Sequence, residues 1–133
     1  MPGDLIPVSV PAEEYLMFYS ASGVKVYLVL GRTDMRKSVN GLSILVSEHI
    51  GLDPLSGHLF VFCNGRRNIL KVLYWDRNGF CLWYKRLEKE VFRWPETQQE
   101  VVEIGSRELG WLLDGLEISQ HHAYASEKYD HIY

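Results

Sequence analysis

The sequence is short of several things, and each shortage excludes a class of protein. It carries two cysteines, Cys63 and Cys81, in 133 residues. That is too few for a disulfide scaffold, so both read as reduced thiols packed inside a core. No apolar run approaches the roughly 18 to 20 residues that span a bilayer, and the opening MPGDLIPVSVPAEE lacks the basic start and continuous apolar stretch of a secretory signal. The expectation is a cytoplasmic protein with no membrane partner. There is no GxxxxGK phosphate loop, no HExxH, no CxxC and no serine-centred elbow. A metal-dependent nuclease needs two or three converging carboxylates. The middle of the chain offers only Asp34, Glu48, Asp53, Asp76, Glu88 and Glu90, most of them at turns or helix starts with ordinary structural uses. His121, His122 and His131 fall in a tail without periodicity, where little would organise a metal site. A non-enzyme is expected, with no catalytic residue, no metal and no cofactor.

What is present is an ordinary globular composition, 47% hydrophobic and 23% charged. A domain of this length buries roughly two-thirds of its unfolded surface. The net charge of −3 hides an asymmetry. Residues 1–24 hold three carboxylates and no Lys or Arg; residues 25–93 hold twelve basic side chains against six acidic ones; residues 94–133 hold two against eight. A basic centre between acidic ends attracts phosphate locally while the whole chain stays soluble.

Periodicity outlines a single α+β domain at residues 24–118, preceded by a partly ordered arm (1–23) broken by Pro2, Pro7 and Pro11 and followed by a flexible tail (119–133). VYLVL after Lys25 reads as a buried strand. Thr33 or Asp34 then caps a helix over 34–50, whose apolar face is Met35, Val39, Leu42, Val46 and Ile50, with Gly51 as its stop. HLFVFC, ILKVLYW and GFCLWYKRL are strand-length runs separated by NGRR and DRNG, whose Asn, Asp and Gly suit tight turns. Phe92 and Trp94 suggest an edge strand, VVEI at 101–104 one more, and Ser106 the cap of a last helix with Leu109, Leu112, Leu113 and Leu116 on its apolar stripe. The expected architecture is an antiparallel β-meander of three to five strands packed with two helices.

The basic side chains fall into three clusters. Arg32, Arg36 and Lys37 surround the predicted helix start, where free amides also favour an anion. Arg66 and Arg67 sit at a hairpin tip. Lys71, Lys85 and Arg86 lie on strands beside aromatic residues, among which Trp75, Trp83 and Tyr84 are candidates for base stacking or for an interface. Most aromatics of so small a domain must nevertheless be core.

The ordered pieces TDMRKS, DPLSGHLFVF, KVLYWD, GFCLWYKRLE and FRWP, with the late ELGWLLDGLEI, resemble the small accessory protein, often called TnpB or the second open reading frame product, of insertion-sequence-sixty-six-type bacterial transposable elements. The name is shared with an unrelated RNA-guided nuclease that this chain does not resemble. Val39 and Asn40 stand where that family commonly has an aromatic and an acidic residue, and both ends depart from its pattern. The resemblance implies a non-catalytic accessory factor in DNA transposition, acting beside a separate transposase. Two mechanisms are open: direct binding of the element's DNA through the eight basic residues named above, or an adaptor that docks onto the transposase without touching DNA. Self-association is open as well.

Overall fold

The computed structural model describes residues 12–118. The elements run α1 (Ala12–Ser20), β1 (Val26–Val29), α2 (Val39–Ile44) continuing as one π-helical turn (Leu45–His49), β2 (Leu59–Cys63), β3 (Ile69–Asp76), β4 (Gly79–Arg86), β5 (Val101–Ile104) and α3 (Ser106–Leu113). The strands form one mixed, mostly antiparallel sheet in the order β4-β3-β2-β1-β5. The α+β class and the β2-β3-β4 meander agree with the sequence pattern.

One pairing differs from a pure meander. β1 lies parallel to β2, from Val26↔Leu59 to Val29↔Phe62, while its other edge takes β5 antiparallel. Parallel neighbours need a long crossover, and α2 supplies it. β2 is buried along its whole length and β1 along most of its, as expected of central strands covered on both faces. Alternation sends Val26, Leu28, Leu59, Val61, Leu70 and Val72 to one face, against Leu16 of α1 and Leu109, Leu112 and Leu113 of α3. Val29, Phe60, Phe62 and Leu73 go to the other, against Leu42 and Val46 with Met35, Val39 and Ile50 beside them. The predicted helical stripe is thus the seam that was expected.

The helix itself is shorter than 34–50. Asp34 accepts the backbone N–H of Arg36 at 2.9 Å and pairs with the Arg36 guanidinium at 2.7 Å, which closes a local turn in place of the first helical turn. Helical structure begins after Ser38, whose side chain makes no capping bond, and Gly51, at φ +67°, follows its end. At the last helix the capping position belongs to Gly105, not Ser106, and the Glu108 carboxylate accepts the Gly105 N–H at 2.9 Å. Leu116 lies past the helix and is exposed. Phe92 and Trp94 form no edge strand. Both are buried in the α1/α3 side of the core, on a run from Leu87 to Glu100 that joins no ladder.

Part of the expected arm, EEYLMFYS, is α1, anchored by buried Leu16. Its prolines, the expected tail and the three tail histidines lie outside the described residues. Among the described residues no helix is long and apolar enough to cross a membrane.

Both thiols are free. Burial pushes Cys63 up to about 12, whereas Cys81 is only half-buried. A soluble disulfide reagent at about pH 8 is therefore expected to modify Cys81 readily and Cys63 only after unfolding, measured as thiol equivalents released with and without denaturant. Because the folded thiol resists ionisation, its contribution to stability is complete below the ordinary thiol range and is lost as pH climbs from about 8.5 toward 12.

Candidate nucleic-acid interface

Parallel pairing sets the carboxyl ends of β1 and β2 side by side, the position where open sheets commonly receive ligands. The Thr33 N–H donates to the Cys63 carbonyl at 2.8 Å, which holds Gly31 and Arg32 next to Asn64 and Gly65. Arg32 lies along Gly65 so closely that a Cβ added there would stand 3.5 Å from Arg32 Cδ.

The β2–β3 hairpin tip is fixed by its own side chains. Asn64 Oδ1 accepts the N–H groups of Asn68 and Ile69, both at 3.0 Å, and Asn64 Nδ2 donates to Asn68 Oδ1 at 2.8 Å. The sequence suggested Asn, Asp or Gly for the positive-φ positions of both turns; they are Arg67 (φ 63°) and Arg77 (φ 54°). A left-handed non-glycine residue costs about 1–2 kcal/mol. At Arg67 the surroundings hold it there, because its carbonyl accepts the Phe92 N–H at 2.7 Å and its guanidinium meets Glu96 at 3.0 Å.

Those contacts bring the irregular Leu87–Glu100 run against the tip and enclose a pocket of about 260 Å³ lined by Gly31, Arg32, Asn64, Gly65, Arg67 and the segment Trp94–Thr97. A broader groove of about 650 Å³ shares Arg32, Asn64 and Gly65 with it and adds Thr33, Asp34, Met35 and Arg66. Arg32 and Arg66 are exposed and have no hydrogen bond or ion pair among the described residues. The arginines' attraction for an anion is therefore not spent on a carboxylate.

The eight predicted basic residues separate into two sets. Arg32, Arg66 and Arg67 line the pocket and groove. Arg36 is next to the groove wall but paired with Asp34, whose carboxyl is held down at about 2 by the Arg36 hydrogen bonds, so the pair persists until pH falls well below 4. Lys37 is exposed beside it. Lys71 and Lys85 are tied inside the fold. Lys71 Nζ donates to the carbonyls of Met35 and Lys37 at 2.8 and 3.0 Å, and Lys85 Nζ, on the opposite sheet face, donates to Glu13 at 2.8 Å and to the Leu113 carbonyl at 2.9 Å. Arg86, at the end of β4, pairs with Glu88. Among the aromatics, Trp83 packs on the α1/α3 core, Trp75 is half-buried edge-on to Phe80, and Tyr84 stands half exposed on the α2 face.

Residues that the linear pattern did not point to complete the site. Arg93, Trp94, Glu96 and Thr97 are close to the arginine tip only because the chain folds back after β4, and no spacing signals it. Trp94 Nε1 is the single buried side-chain polar atom without a hydrogen-bond partner among the described residues.

Residues 24–123 match the family described as IS66 Orf2-like protein. The chain belongs to that family. The IS66 Orf2-like chain is 38% identical over 101 residues to uncharacterized protein y4hO of Sinorhizobium fredii (strain NBRC 101917 / NGR234), covering 76% of this chain and 88% of the relative. It is 31% identical to uncharacterized protein y4jC of the same strain, again over 101 residues, 76% of this chain and 86% of that one. No solved structure matches it. Membership in the IS66 Orf2-like family gives the protein a transposition-associated accessory role, in agreement with the resemblance drawn from its motifs.

Proposed function

We propose that the protein is a non-catalytic factor that binds the DNA of its element at the carboxyl ends of β1 and β2 and acts there beside the transposase. The observation that carries this reading is the meeting of Arg32, Arg66 and Arg67 on one surface, the first two without acidic partners among the described residues. Guanidinium groups bind phosphate oxygens bidentately, and contacts of that kind position a protein on DNA with little base readout. Lys71, Lys85 and Trp83 leave the proposed contact set, because the fold already uses them.

Neutralising three phosphates gives a slope of about −2.7 in log affinity against log salt, or about a 40-fold loss between 50 and 200 mM. Fluorescence anisotropy of labelled element-end DNA across that range measures it. In Arg32→Gln with Arg66→Gln the slope is expected to flatten by about 2 units. No binding at 50 mM salt, or a flat salt response, sinks the reading.

A second reading, docking onto the transposase, has an observation of its own. Among the described residues β4 is an edge strand with no partner on its outer side, and its Leu82 and Tyr84 are exposed on the α2 face. Co-purification with the transposase that is lost in Tyr84→Ala and kept in the double arginine variant favours docking.

A further inference from the structure

We infer that the pocket beside the groove takes the terminal phosphate of a DNA strand, so that the protein recognises a strand end and not only a stretch of backbone. The inference rests on the DNA-binding reading and specifies the part of DNA that is held. The groove and the pocket share Arg32, Asn64 and Gly65 in their walls, and Arg66 lines the groove but not the pocket. A strand lying in the groove meets Arg66 and again Arg32, both without a partner among the described residues, then reaches the wall made by Trp94 to Thr97. Past that wall the favourable charge stops. The next hollow sets Glu96 and Glu117 against Arg67 and Arg93, so a further phosphate gains no net attraction there.

The chemistry of the pocket favours a terminal group over a bridging one. A phosphate monoester carries about −1.5 to −2 at pH 7, more than a backbone diester, and presents three free oxygens. Among the described residues Arg32 has no partner, and the Arg67 guanidinium close by pairs with Glu96, which is itself largely exposed. Trp94 adds an indole N–H that lacks an acceptor. Trp94 lines the pocket, and its own backbone N–H bonds locally to the Phe92 carbonyl. A phosphate oxygen that reaches this indole N–H satisfies a buried donor that is costly to leave unmade.

The test compares short single strands of one sequence that end in a 5′-phosphate, a 3′-phosphate or hydroxyls only, by anisotropy competition at about 50 mM salt. One phosphorylated end is expected to bind at least about 10-fold more tightly than the hydroxyl-ended strand, and the two phosphate arms tell which end is held. Arg32→Gln is expected to bring that ratio close to one while weaker binding through Arg66 continues. Glu96→Gln, at an exposed position, releases Arg67 and is expected to increase the ratio. Equal binding of all three strands by a protein that binds DNA overturns the end site and leaves the arginine surface standing, whereas no binding of any strand removes both.

Discussion

Replacing Phe92 by Ala is expected to destabilise the protein by about 3–5 kcal/mol, a core-sized effect from a residue in no helix or strand. Its ring is completely buried among residues of the α1/α3 side, and its N–H is bonded to the Arg67 carbonyl. Urea unfolding of purified wild type and variant measures the difference as a shift in midpoint at unchanged slope. Binding is expected to change with stability. Without the ring, the run that carries Trp94 and Glu96 has lost its anchor, so the preference for a phosphorylated end declines even under conditions where the variant is fully folded. A cost below about 1 kcal/mol means that the run sits on the surface rather than in the core.

Lys71→Met is expected to show the opposite signature to an arginine substitution: a loss of about 2 kcal/mol in stability with the salt slope of DNA binding unchanged. Its ammonium binds two carbonyls of the loop between β1 and α2, and hydrogen bonds to a charged group contribute about 1.5–3 kcal/mol before solvent screening lowers the figure. The methionine keeps the apolar stem and removes the donor. Lys85→Met, which frees Glu13 and the last carbonyl of α3, belongs to the same class. Thermal unfolding and the anisotropy salt series together decide between the roles. A slope flattened by about 1 unit in Lys71→Met makes that lysine a phosphate contact.

These two substitutions also mark where sequence reasoning reaches its limit. Met35, Val39, Leu42, Val46 and Ile50 are legible as one face because helical spacing is local, and the three meander strands are legible because alternation and turn residues are local too. The direction of β1 was not. Four apolar residues carry no sign of which neighbour they take, and the partners Leu59 and Ile104 are distant in the chain. The helix start was misplaced because Asp34, a good cap by type, has a stronger local bond to Arg36. At the site, Arg32 and Arg66 were legible as exposed arginines near turns. Lys71 and Lys85 looked equivalent to them, since a lysine whose acceptors are carbonyls 34 to 36 and 28 residues away shows nothing of it in composition. Glu96 and Trp94 were invisible for the same reason.

The placement of β1 has a consequence in time. It leaves the ribosome before either of its partners, since Val26 pairs with Leu59 on one side and with Ile104 on the other. At roughly 5–20 residues per second, a nascent chain carries that edge for several seconds or more before its β5 partner has been made. During that interval VYLVL is an apolar strand with an open side, the kind of segment that sticks to other chains. The basic Lys25 just before it and Arg32 just after it stand where charges act as gatekeepers against such association.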